Sequence, residues 1–149
     1  MSVVRVDQYR SDGRHKLHSW GGWSMYAAFT ELPDGQGLVK IGISTVPMGR
    51  LYDVHCNSPF PIGAALWAHV GNKSQAFRVE KYLKRRFAER QTRGEWFLFD
   101  LKSPVDKDAF HSACRAAYAR ATGDVLAWRK VTLEQIRIAN SLSNGDWRA

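Results

Sequence analysis

The sequence has few cysteines, few prolines and no long apolar run. Its two cysteines, Cys56 and Cys114, are too few for a disulfide framework, and the absence of a C-x-x-C pair argues against a zinc ribbon or redox site. Five prolines and an unbiased composition exclude collagen-like and low-complexity chains. No apolar stretch approaches the roughly eighteen residues that a membrane span needs. Met1 to Asp7 also lacks the apolar run of a signal peptide, so the expectation is a cytoplasmic protein with no membrane partner. Acid is scarce as well: 14 Asp and Glu stand against 22 Lys and Arg, a net charge of +8. With 44% hydrophobic residues in 149, there is enough apolar material for a single core. For a domain this basic, polyanion binding is the first functional expectation.

The surplus is local. Between Lys73 and Arg93 lie eight bases (Lys73, Arg78, Lys81, Lys84, Arg85, Arg86, Arg90 and Arg93) and two acids (Glu80 and Glu89), a net +6. Such a run is commonly no more than a solvated helix face. Its density points instead to phosphate contact, chiefly with the backbone, because a lysine and arginine surface supplies affinity without reading bases. Arg78, Lys81, Lys84, Arg85, Arg86 and Arg90 are the candidate DNA contacts.

The pattern of elements is mixed. Met25, Ala27 and Phe29 alternate with Tyr26, Ala28 and Thr30; a turn follows at Pro33-Asp34-Gly35; then Val39, Ile41 and Ile43 alternate again, which predicts a β-hairpin. Thr45 is placed to cap a helix with Pro47 in its first turn, running to about Cys56. A third strand is expected over 61–70, a strong helix over 74–89 and a short aromatic strand over 95–101. Pro104 opens a helix that Gly123 ends, and Thr132-Leu-Glu-Gln135 is a capping box before Ile136. The predicted class is α+β in one unit. Trp67 and Trp96 are expected to pack, as by default are Trp20, Trp23, Trp128 and Trp147.

One carboxylate stands out. On the 74–89 helix, Ala76, Val79, Leu83 and Phe87 make an apolar stripe, and Glu80 falls about 40° from Ala76 within it. Burying an unpaired carboxylate is costly, so Glu80 needs a partner. Two readings are open: an i,i+4 pair with Lys84, or a ligand for a divalent cation, since Mg2+ accepts a single carboxylate plus waters and substrate phosphate. In the hairpin, any register that groups the apolar residues also puts Tyr26 and Lys40 on the opposite face. A nearby lysine would favour the phenolate of Tyr26. Arg50, early on the next helix, either pairs with Asp53 or clamps a phosphate.

Ser24-Met-Tyr26, Lys40-Ile-Gly42, Arg50-Leu51, Glu80-x-x-Leu83-x-x-x-Phe87 and Gly94-Glu-Trp-Phe97, in that order, resemble the GIY-YIG nuclease superfamily. The likeness is to its phage-associated DNA-binding branch, whose second motif reads Lys-Ile-Gly. It covers about residues 21–101, leaving an N-terminal extension at 1–20 and a C-terminal helical extension at 102–149, packed on the same unit and available for homodimer contact. The resemblance implies a small α/β sandwich around a three-stranded antiparallel sheet, with a divalent-metal-dependent DNA endonuclease site. It implies Tyr26 as general base assisted by Lys40, Arg50 as stabiliser of phosphorane charge, and Glu80 as ligand of one Mg2+ or Mn2+. His55 is a candidate proton shuttle. The first motif departs from the pattern by lacking its usual glycine and isoleucine. Lys84 stands where the metal helix commonly has histidine, and the frequent late asparagine is not evident.

Other readings compete. A non-catalytic DNA-binding module would keep the cleft as a phosphate groove. Asp100-Leu-Lys102 matches the D/E-x-K core of restriction-type nucleases but has no evident partner acid. A zinc site from His55, Cys56, His111 and Cys114 is disfavoured because neighbouring helix residues diverge by 100°. A protein-interaction domain using exposed aromatics is the remaining class.

Overall fold

The computed structural model describes residues 22–144. The expected extension at 1–20, with Trp20, and Trp147 lie outside the described residues. The hairpin forms as strands β1 (Trp23–Glu31) and β2 (Gly37–Ser44). Its turn is closed by Leu32 N–H donating to Gln36 O at 2.8 Å, with Gly35 at φ +88°. Helix α1 (Pro47–Asn57), strand β3 (Ala64–Gly71), helix α2 (Lys73–Arg86), a 3-10 turn (Ala88–Arg90) and strand β4 (Trp96–Phe99) follow. Helix α3 (Pro104–Thr122), strand β5 (Arg129–Thr132) and helix α4 (Leu133–Asn144) complete the described chain.

The sheet has five strands in the order β4-β2-β1-β3-β5, every neighbouring pair antiparallel. This corrects the expectation of three. The hairpin and β3 form the expected centre, β4 pairs outside β2, and β5 pairs outside β3. β5 reads Arg-Lys-Val-Thr and buries only Val131, so it carries no alternating signal. The segment after 101 is therefore not purely helical; it supplies an edge strand and two helices to the same sheet.

β1 is central and its residues Met25 to Ala28 are buried on both faces. Met25 lies opposite Ile43, Ala27 opposite Ile41 and Phe29 opposite Val39. That face packs on Ala76, Val79 and Leu83 of α2 and on Phe110, Ala113 and Ala117 of α3. The other face, with Tyr26, Ala28, Ala65 and Val131, packs on Leu51 and Val54 of α1 and Ile136 of α4. Each such fully buried Leu, Ile or Phe stabilises the fold by roughly 1.5–3 kcal/mol. Phe87, Phe99 and Phe110 meet edge to face or stacked, with Phe87 and Phe99 centroids 5.0 Å apart, and so tie α2, β4 and α3 together. Trp128 stacks on Phe110 at 6.5 Å, while Trp67 and Trp96 are half-buried against the α1 side.

Local signals set the helix ends. Asn72 and Gln75 form a reciprocal capping box for α2, each N–H donating to the other's side chain at 2.9 Å. Ser103 caps α3 ahead of Pro104, and Gly123 ends it at φ +79°. Thr132 and Gln135 form the expected box for α4. At α1 the N-cap is Val46 rather than Thr45, and Ser44 Oγ accepts the Val46 N–H at 2.9 Å. α2 gives way at Phe87 to the 3-10 turn rather than continuing to Glu89.

Candidate functional site

Tyr26 is the starting point. It leaves β1 on the α1 face, is 1% exposed, and lies directly across from Gly42 on β2. A Cβ on Gly42 would run into the Tyr26 ring and hydroxyl, so the glycine of Lys40-Ile-Gly42 is what lets the tyrosine lie over the sheet. From the first turn of α1, Arg50 donates Nε–H to the Tyr26 hydroxyl at 3.3 Å. Arg50 turns to Tyr26, and Asp53 adds only a minor attraction to its charge.

Lys40 shares the Tyr26 face of the sheet but pairs elsewhere. Its Nζ is 3.6 Å from Glu95 and 5.8 Å from the Trp96 ring centre. Glu95 also meets Lys84 at 3.9 Å, and Lys84 reaches Glu80 at 3.4 Å as its i,i+4 partner. A chain of alternating charge thus runs Lys40, Glu95, Lys84, Glu80, from β2 to α2. The Glu80 side chain is 17% exposed, in keeping with its place inside the helix stripe.

The electrostatics of Tyr26 differ from expectation. Burial lifts its phenol above the usual value, the Arg50 bond and charge pull it down less strongly, and Glu95 and Glu80 add to the rise. The cation on the phenol is Arg50 and not Lys40, and the net direction is upward, so Tyr26 is neutral at neutral pH. The bond to Tyr26, with lesser help from Glu95, in turn holds the Arg50 proton more firmly.

The fold thus brings Tyr26 into contact with Arg50 and links Lys40 to Glu80 through Glu95 and Lys84. His55 is held separately: its Nδ1 accepts the Ile62 N–H at 3.3 Å and fastens α1 to the loop before β3. Cys114 is buried, and burial pushes its thiol up to about 12. Among the described residues no group of three or more His, Cys, Asp or Glu gathers as for a tightly held metal. Glu80 and Glu95, two carboxylates already sharing one cationic group, are a donor set suited to Mg2+ or Mn2+, ions that retain waters and lean on substrate phosphate.

The candidate DNA contacts divide. Arg78, Lys81, Arg85 and Arg86 line a groove of about 620 Å³ between α2 and α3, joined there by Arg120 of α3, whose guanidinium lies 5.4 Å from the Tyr82 ring centre. Among the described residues no carboxylate pairs with these five bases. Lys84 instead faces Glu80 and Glu95, while Arg90 makes a bidentate bond to Asp106 at 3.1 and 3.3 Å. Sequence reasoning did not single out Glu95 or Arg120. Glu95 sits beside Trp96 in the Gly94-Glu-Trp-Phe97 word, which was a usable signal; Arg120 lies far along the chain and had none.

A helix-covered antiparallel sheet carrying a Tyr–Arg pair, bridged carboxylates and a basic groove defines an α+β domain. The chain belongs to the T5orf172 domain family, which it matches over residues 24–114. That family is phage-associated and belongs to the nuclease-related set. The match takes in Tyr26, Lys40, Arg50, Glu80 and Glu95 and stops short of Arg120. No curated protein and no solved structure matches the chain.

Proposed function

We propose that the protein is a divalent-metal-dependent DNA endonuclease of the GIY-YIG type. The observation that carries this reading is that Arg50 holds the buried Tyr26 hydroxyl while Glu95 joins Lys40, on the same sheet face as Tyr26, to Lys84 and Glu80. Arg50 uses its Nε on Tyr26, and its terminal nitrogens remain for a phosphate oxygen, where a planar cation stabilises the charge developed in cleavage. Tyr26, neutral at neutral pH, positions the attacking water and takes its proton only as its own proton moves on to a phosphate oxygen. Lys40 keeps Glu95 oriented. Glu80 and Glu95 would hold Mg2+ or Mn2+, which supplies Lewis-acid stabilisation of the phosphate and leaving oxygen.

Supercoiled plasmid incubated with Mg2+ or Mn2+ tests the reading. Wild type is expected to nick, and Glu80→Gln and Tyr26→Phe are each expected to slow nicking at least about 100-fold, as loss of an electrostatic or acid–base group does. Nicking retained by both variants would remove these residues from the site. The second reading, a DNA-binding module without catalysis, draws on Lys84, whose ammonium already bridges the two carboxylates. Tight plasmid binding with no nicking in either metal would favour it. A homodimer through the C-terminal helices is a separate proposal; its contact would use the side of α4 that carries the half-exposed Ile138, and sedimentation decides it.

A further inference from the structure

Phe77 is out of keeping with its helix. Its neighbours Ala76, Val79 and Leu83 are buried, yet Phe77 is 48% exposed, the one exposed Phe, Tyr or Trp among the described residues. It does not stand alone. The Trp23 ring lies behind it, 6.3 Å between centroids and inclined by 32°, and the Lys73 ammonium lies 5.6 Å from the Phe77 centre and 5.9 Å from that of Trp23. Phe77 also borders an open depression of about 580 Å³ whose other walls are Glu80, Lys81, Lys84, Arg85 and Ala88. The exposed ring and the Glu80 carboxylate are therefore one helical turn apart on the same surface hollow.

We propose that Phe77, backed by Trp23, is a stacking platform for an unpaired nucleobase adjoining the cleavage site, so that the preferred ligand is single-stranded DNA. The proposal rests on the DNA reading above and adds to it the kind of DNA bound. One exposed ring backed by a second is too small an apolar patch to seat a protein partner. It is the right size for one base, and the bases around it, Lys73, Lys81 and Arg85, complement a phosphate chain. In duplex DNA the base faces are stacked on one another and unavailable. Only an unpaired base can lie on Phe77 while its phosphate reaches the Glu80 side of the hollow. Lys73 covers the rings in the free protein and is released to a phosphate when a base takes its place.

The test is binding by full-length protein in EDTA, so that cleavage plays no part, to a fluorescent single-stranded oligonucleotide and to a duplex of the same length. Phe77→Ala is expected to weaken single-strand binding about tenfold, as loss of one stacked base does, and duplex binding less than about twofold. The slope of log K against log salt is expected to stay that of wild type, since no charge is removed. Phe77→Trp is expected to restore the affinity. Equal losses on both DNAs, a changed salt slope, or no loss at all would overturn the platform. Wild-type protein that binds neither DNA would overturn the DNA reading itself; strong binding indifferent to Phe77 would overturn only this inference.

Discussion

Gly42 and Tyr26 illustrate how two positions on paired strands become one structural unit. The tyrosine is buried and cannot move aside, because Arg50 holds its hydroxyl and α1 covers its ring. The glycine therefore serves by having no side chain rather than by any unusual backbone angle. Gly42→Ala is expected to cost about 1–3 kcal/mol, the range for overpacking a filled site. In a Tyr26→Leu background the same alanine is expected to cost much less. Urea denaturation of wild type, the two single variants and the double variant closes the cycle, and simple additivity would show that the two residues do not share this space. The same close fit explains why Tyr26 is a poor candidate for a free phenolate: burial dominates its environment and outweighs the arginine.

At the scale of elements, Asp106 joins three pieces that are separate in sequence. In the first turn of α3 it accepts the Asp100 N–H at 2.6 Å, just beyond β4, and both terminal nitrogens of Arg90 from the 3-10 turn. The Asp100 N–H bond and the Arg90 guanidinium hold its carboxyl below the usual aspartate range. A depressed pKa means stability that is present above the unfolded value near 4 and lost as pH falls through the folded one. Asp106→Ala is expected to destabilise by about 1–3 kcal/mol at pH 7, discounted toward the lower end because the side chain is partly solvated. That difference is expected to shrink below pH about 4, as measured by thermal unfolding of the pair across pH; a gap that widens in acid would contradict it. Elements such as the hairpin, α3 and α4 were legible because their signals are local: Phe29 facing Val39, Pro104 with Gly123, Thr132 with Gln135. β5 was not, since three of its four residues face solvent and its pairing with β3 is made by the backbone across some sixty residues. The Asn72–Gln75 box starts α2 at Lys73, one residue before the expected 74.

Over the whole molecule, charge is sorted by what faces it. Strand alternation places Tyr26 with Lys40 and one helix stripe places Glu80, while the grouping of these with Arg50 came from the family resemblance; their actual partners were not legible. The pairing of Arg50 with Tyr26, and of Lys40 with Glu95, depends on how α1 and β4 settle against the hairpin. The same holds for the basic run, where equal-looking residues have different surroundings: Arg85 opens into the α2–α3 groove with Arg120, whereas Arg90 is closed on Asp106. Duplex binding measured by anisotropy against salt distinguishes them. Each phosphate contact removed flattens the log K against log salt line by about 0.9. Arg85→Gln and Arg120→Gln are each expected to flatten it by about that amount, and together by about twice as much. Arg90→Gln is expected to leave the slope unchanged, since its charge is already neutralised within the fold. A slope change for Arg90→Gln equal to that of Arg85→Gln, or none for Arg120→Gln, would move the DNA track off the groove and along the run as it is written in the sequence.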